Sequence, residues 1–134
     1  MDSLESKIAE TYKPGFGEFM SNIQIHHAKL LFAGENQNWA LADFEINEIN
    51  ENLEGIQKYC SERTETKSIG MINPAMDSLR NAILKKDEKL FRKSYTNLTN
   101  SCNSCHQSTN HEYNVIVIPK NPPFSNQDFS NKNK

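Results

Sequence analysis

The residues that could do chemistry in this chain are concentrated in one pentapeptide, Cys102-Asn103-Ser104-Cys105-His106. Two thiols three positions apart project from one side of a helical turn, so both can add to the two vinyl groups of one porphyrin. The imidazole that follows directly can then reach the iron at the centre of the ring. The sequence therefore predicts one covalently attached haem c, with Cys102 and Cys105 as its anchors and His106 as an iron ligand.

Two other uses of this pentapeptide compete with haem. A Cys-x-x-Cys pair alone is typical of a redox dithiol or of half a zinc site, but neither requires a histidine directly after the second cysteine. Zinc could be bound by Cys102 and Cys105 together with His106 or His111, although residues on one short turn need a distant fourth ligand to complete a tetrahedron. A further alternative is that nothing binds and the helices serve as an interaction module.

Length and charge limit the remaining classes of function. The 134 residues fit one domain that can bury a core, and 15 basic against 17 acidic residues argue against a nucleic-acid binder. We expect no membrane span and no enzyme, since the sequence has no long apolar run, no serine-protease signature and no glycine-rich phosphate loop. Three cysteines are an odd number, so disulfides are not expected to organise the fold.

The beginning of the chain conflicts with a haem c. This cofactor is attached to Cys-x-x-Cys-His outside the cytoplasm, whereas residues 1–15 lack the basic start and apolar middle of a secretory signal. We therefore expect a periplasmic or otherwise exported protein whose signal segment has been removed. If the chain is produced in a cytoplasm instead, we expect it to lack haem.

Four stretches show the 3.6-residue apolar period of amphipathic helices, and few glycines or prolines interrupt them. The acidic residues between 43 and 54 are expected mainly on the solvated face of the second stretch. The predicted helices run from Phe16 to Ala33, from Trp39 to Cys60, from Asn73-Pro74 through Ile83, and from Asp87 through Cys105.

Local signals predict where these helices begin and end. Gly34 is expected to stop the first helix, and the short connection at residues 34–37 makes the first two helices antiparallel neighbours. Asn73 is expected to cap the third helix, and Asp87 the fourth. Residues 61–68 are polar and unpatterned, as in a surface loop.

The predicted fold class is all-α, an antiparallel four-helix bundle with an extended C-terminal tail. Residues 1–110 are expected to form the haem-binding bundle, with a short or frayed helix before Pro14-Gly15. Residues 111–134 are expected to form the tail, which lies on the bundle and is disordered at its end. One domain with an attached tail is therefore the predicted organisation.

The tail is predicted to be extended because Val115-Ile116-Val117-Ile118 is β-branched and prolines follow it. On the first helix, Ile25 and Phe32 point away from the inner apolar stripe. They would be exposed in an isolated bundle, so we expect them to contact the tail or a second subunit. A homodimer is therefore one possible assembly.

A sixth iron ligand would have to come from a helix that faces His106, and the first helix carries two candidates, Met20 and His27. Two helical turns separate them, so only one can be level with the iron. An imidazole within an apolar stripe is costly without a partner, and it can be an iron ligand or a hydrogen-bonded core histidine. His111 is a third, less well placed candidate because it is tethered close to His106.

Four amphipathic helices with Cys-x-x-Cys-His near the end of the last one resemble the cytochrome c′ group of haem proteins, including its six-coordinate low-spin relatives. The resemblance covers about residues 16–110 and implies thioether bonds to both cysteines and a proximal His106. It also implies a distal residue in the N-terminal half of the first helix, which points to Met20. The stretch from Ile116 to Asn126 has no counterpart in that group.

The function expected from these observations is that of a periplasmic c-type cytochrome that exchanges electrons with a redox partner protein. Both axial positions of the iron would then be filled by side chains. An open sixth position would instead favour a five-coordinate protein that binds or senses a gas.

Overall fold

The computed structural model describes residues 15–132. These residues form four α-helices and one 3-10 segment, with no strand among them. The all-helical class is therefore confirmed, and the arrangement is consistent with a helical bundle. The helix expected before Pro14 lies outside the described residues. The helices are α1 (Phe16–Glu35), α2 (Trp39–Tyr59), α3 (Asn73–Lys85) and α4 (Glu88–Ser108), and the 3-10 segment (Thr64–Ile72) lies between α2 and α3.

The predicted apolar stripes of the four helices meet in one core. α1 packs most extensively against α2, and α4 against α3, while α1 and α4 contact each other less. Burial of these stripes is the main stabilising contribution, since each fully buried aliphatic or aromatic side chain contributes about 1.5–3 kcal/mol. The largest fully buried apolar side chains are Leu30 of α1, Ile46, Ile49 and Ile56 of α2, Leu79 of α3, and Phe91, Tyr95 and Leu98 of α4.

Gly34 does not stop α1, contrary to the prediction. The helix continues to Glu35, and Gly34 is buried within it. A Cβ atom on Gly34 would lie 2.1 Å from Cε1 of Phe91, so the missing side chain lets α1 and α4 approach closely. Two residues after the end of α1, Gln37 has a φ of 54°, the left-handed conformation common just after helix ends.

The start of α3 also differs from the prediction. Asn73 is its first residue and not its cap, because the 3-10 segment runs directly into the helix and the Gly70 carbonyl accepts the Asn73 N–H. The surface loop expected at residues 61–68 is wrong for its second half, which belongs to the 3-10 segment. Ile69 and Ile72 are buried three positions apart, which matches the three residues per turn of a 3-10 helix.

Side-chain caps fix the first turns of α2 and α4. Asp87 caps α4 as predicted, since its Oδ1 accepts the N–H of Leu90 at 3.0 Å. Asn38 does the same for α2, accepting the N–H of Leu41 at 3.2 Å. These caps hold the two helices at fixed points after short connections.

Residues 110–132 contain no helix or strand, and they are hydrogen-bonded to the bundle at two places. Close to α4, Ile116 is hydrogen-bonded to the side chain of Asn103. At the other place, the ring of Phe129 lies 5.9 Å from the ring of Phe32, centroid to centroid, and the Asn38 side chain donates to the Phe129 carbonyl. Phe129 is 5% exposed, a packing role that the sequence pattern did not predict.

The outward-facing residues of α1 are covered differently from the prediction. Phe32 is buried, and Phe129 is the tail residue in ring contact with it, whereas Ile25 is half-buried. The apolar run 115–118 of the same chain does not cover Ile25 and Phe32, because Val115 and Val117 are themselves more than half exposed. Its role as a face for a second subunit stays a prediction.

Candidate functional site

One cavity brings the predicted site residues together. It has a volume of about 500 Å³ and lies between the N-terminal half of α1 and the C-terminal turns of α4. The start of the 3-10 region and the chain after α4 form its other walls. Pockets for drug-sized ligands typically measure roughly 300–1,000 Å³. The wall of this cavity includes the predicted site residues Met20, His27, Cys102, Cys105, His106 and His111.

The two thiols of the pentapeptide are free, and both line the cavity. Burial, and then the proximity of Cys105, raises the pKa of Cys102 to about 11. Burial also raises the pKa of Cys105. Both groups are therefore neutral thiols near pH 7, whereas a redox dithiol needs a lowered pKa to attack as a thiolate. The pair is poorly suited to disulfide exchange and remains available for addition to a carbon–carbon double bond.

His106 is held with one ring nitrogen already used. Its Nδ1 lies 2.5 Å from the backbone carbonyl oxygen of Asn114. A carbonyl oxygen only accepts hydrogen bonds, so Nδ1 must carry the proton, and the neutral ring has its lone pair on Nε2. Metal-bound histidines are commonly oriented by such a bond from the second ring nitrogen. Nε2 is therefore the ring nitrogen of His106 that remains available to bind a metal.

His27 is buried, with 3% of its surface exposed, and both of its ring nitrogens have partners. Tyr95 donates its hydroxyl hydrogen to the His27 carbonyl at 2.7 Å, so its oxygen accepts from His27 Nδ1–H at 3.0 Å. The hydroxyl of Thr99 lies 2.9 Å from Nε2 and 3.0 Å from the Tyr95 carbonyl oxygen, so its one hydrogen is shared between these two acceptors. Burial lowers the pKa of His27 from 6.5 to about 4, so the ring is neutral near pH 7. Binding of iron by His27 would have to break one of these hydrogen bonds.

The other two candidate ligands lie on different walls of the cavity. Met20 is half-buried on α1, and its thioether can coordinate iron. His111 lies on the chain after α4, and its Nδ1 donates to the carbonyl of Thr109 at 2.7 Å, which leaves the lone pair on Nε2. The geometry therefore keeps Met20 as the α1 candidate without a competing hydrogen bond, and His111 as a candidate near the proximal side.

Arg63 is a cavity residue that sequence reasoning missed. It is the only lysine or arginine among the described residues that line the cavity. Its guanidinium lies 4.6 Å from the centroid of the Phe16 ring and is bonded to Glu65 at 2.5 Å, which lowers the pKa of Glu65 to about 2. A single arginine in a polar stretch carries no positional signal, because only the fold of residues 60–72 brings it to the cavity.

Within residues 15–132, no three or more His, Cys, Asp and Glu side chains are grouped so that they could hold a metal ion by themselves. This observation concerns zinc, which needs three or four protein ligands. Haem iron is held mainly by the porphyrin nitrogens and takes only one or two axial ligands from the protein.

No protein-family model, no curated protein and no solved structure matches this chain. Of the helices between Gly15 and Lys132, none is both long enough and apolar enough to cross a membrane.

Proposed function

We propose that this chain is an exported c-type cytochrome that binds one haem covalently and exchanges electrons with a redox partner protein. The observation that supports this most directly is the cavity in which two neutral thiols accompany His106, whose Nε2 is left free by the bond from Nδ1 to Asn114. Cys102 and Cys105 would hold the haem by addition: each S–H would add across one vinyl group, with the sulfur on one carbon and the hydrogen on the neighbouring carbon. No electrons are gained or lost.

The other walls of the cavity fit the two chemical characters of a haem. Apolar side chains can pack on the ring. Arg63 is bonded to Glu65, and the remaining N–H groups of its guanidinium could bond the propionate carboxylates. When bound, the haem supplies a one-electron ferric/ferrous couple. The chain anchors the ring, limits its contact with water and orients His106, which together set the reduction potential. The apolar wall residues include Phe16, Met20, Ile23 and Ile116.

The antiparallel order of the four helices is part of this proposal. Only residues 36–38 join α1 to α2, and only residues 86–87 join α3 to α4. Such short connections join antiparallel neighbours. In a bundle of that order, the first turns of α1 lie beside the last turns of α4, which is where the cavity has its walls.

We assign the sixth ligand of the iron to Met20. With His106 and Met20 both bound, the iron would have no open position for a gas, and the haem would serve in electron transfer. Met20 lies on the α1 wall, across the cavity from the helix that carries His106. One observation favours a second function: the ring nitrogens of His27 are both engaged, so α1 offers no other free ligand at this wall. If Met20 does not bind, the iron has an open position, and the protein binds a gas instead.

Covalent attachment is tested by producing the chain behind an export signal in a periplasm that attaches haem c. Haem staining after denaturing electrophoresis should be positive for the wild type and lost in the Cys102→Ser, Cys105→Ser double variant. Cys60→Ala is the matched control, because Cys60 is buried but does not line the cavity. Undiminished staining of the double variant would exclude a haem c.

The sixth ligand is tested by the spin state of the purified protein. We expect a low-spin wild type that binds carbon monoxide slowly, and a high-spin Met20→Ala variant that binds it readily. Met71→Ala is the control, because Met71 is 44% exposed and lies outside the cavity wall. A high-spin wild type that Met20→Ala and His27→Ala both leave unchanged would contradict electron transfer and support the gas binder.

A further inference from the structure

Asn103, the first spacer residue of the pentapeptide, fixes the chain that follows α4. Its Nδ2 donates to the carbonyl of Ile116 at 2.9 Å, and its Oδ1 accepts the N–H of the same residue at 2.7 Å. One amide side chain thus satisfies both backbone groups of Ile116. Two bonds to one residue define its direction as well as its distance, so the backbone at Ile116 is held against the side of α4.

The carbonyl that His106 uses lies two residues before this anchor. Asn114 donates its N–H to the carbonyl of His111 at 2.9 Å, and His111 donates its own N–H to the carbonyl of His106 at 2.7 Å. The Asn114 carbonyl then accepts from His106 Nδ1. The segment is therefore held on one side by this turn and on the other by Asn103, and the carbonyl is placed between the two.

We propose that Asn103 is a positioning residue for the proximal iron ligand. By holding Ile116, it keeps the Asn114 carbonyl against Nδ1 of His106 and so sets the tautomer, the ring orientation and the donor strength of Nε2. This role towards iron rests on the proposed function. A firm bond from Nδ1 makes the imidazole a stronger donor, which stabilises ferric iron. Loosening it raises the reduction potential.

The test compares Asn103→Ala with Ser104→Ala in protein purified from a haem-attaching periplasm. Ser104 is the second spacer residue and is exposed, and both variants keep the Cys-x-x-Cys-His pattern. Haem content is measured first and should equal that of the wild type in both. We expect Asn103→Ala to shift the reduction equilibrium towards the ferrous form by up to about tenfold, which is about 59 mV for a one-electron couple. Ser104→Ala should stay at the wild-type value.

A second readout does not depend on the potential. Nitrogen-15 NMR of the diamagnetic protein should show a His106 Nδ1–H that exchanges slowly with water in the wild type and in Ser104→Ala. In Asn103→Ala, this protected signal should be lost. Retention of the signal together with an unchanged potential would overturn the proposal.

The possible failures can be told apart. A lower potential in Asn103→Ala would also overturn the proposal, because it indicates entry of water into the cavity and not loss of the bond to His106. A wild-type chain without covalent haem would overturn the proposed function and, with it, the role towards iron. Protection of Nδ1–H in that haem-free chain would still decide whether Asn103 positions the Asn114 carbonyl.

Discussion

The burial of His27 should make the stability of this protein fall when the pH is lowered. Its pKa is about 4 in the folded chain and 6.5 in the unfolded chain, because burial disfavours the charged ring. The unfolded state therefore takes up the proton first. The contribution of neutral His27 is complete above the unfolded pKa and is lost as the pH falls from 6.5 towards about 4.

The size of this effect follows from the two pKa values. Each unit of difference corresponds to about 1.36 kcal/mol. At about pH 5, the unfolded chain has bound the proton at this site and the folded chain has not, so the free energy of unfolding is about 2 kcal/mol lower than at neutral pH. This is a large fraction of the roughly 5–15 kcal/mol of a typical domain and is easily measured.

The assay is denaturant unfolding of the full-length wild type and His27→Gln at about pH 7.5 and about pH 5. Glutamine can still form hydrogen bonds but does not titrate, and all other groups are common to the two proteins. The wild type should lose about 2 kcal/mol more than His27→Gln between these conditions. Equal losses would refute the reasoning, since His27 would then titrate alike in both states. If the protein carries haem, an unchanged visible spectrum of His27→Gln would separate a core histidine from an iron ligand.

Three substitutions test the packing around the site. Tyr95→Phe should cost about 1–3 kcal/mol in denaturant unfolding because it leaves a buried ring N–H without its acceptor, whereas Tyr59→Phe, at a partly exposed ring, should change little. Gly34→Ala should lower the free energy of unfolding by about 1–3 kcal/mol, because the new Cβ would overlap with the ring of Phe91. Gly17→Ala should not lower it, since a Cβ there would have no atom within 4 Å. Phe129→Ala should leave helical circular dichroism intact but speed proteolysis of residues 117–132; unchanged cleavage would show that this ring does not hold the tail.

The helices and the pentapeptide could be predicted because their signals are local. The apolar period of α4 carries Cys102 and Cys105 towards the core, and the Asp87 cap is a direct property of its own first turn. Gly34 shows where local signals stop being sufficient. A glycine that ends a helix and a glycine that admits a neighbouring ring look the same in sequence. Only the position of Phe91, on another helix, distinguishes them.

Backbone partners escape sequence reasoning for a different reason. The acceptor for His106 is the carbonyl of Asn114, and every residue has such a carbonyl. The residue type at position 114 therefore cannot predict the contact with His106. In the sequence pattern, Asn103 is only a spacer between two cysteines, whereas in the structure its side-chain amide bonds both backbone groups of Ile116.

The adjacent histidines of α1 show how partners decide chemistry. The helical period predicts that His27 faces the core and His26 lies at the edge, but it says nothing about what each ring meets. His26 Nδ1 lies 2.6 Å from Glu45, a carboxylate with 1% exposure on a helix whose acidic residues were expected mainly on the solvated face. His27 instead meets two hydroxyl groups of α4. Because those partners occupy both nitrogens of His27, Met20 is the α1 residue that we propose as the sixth ligand.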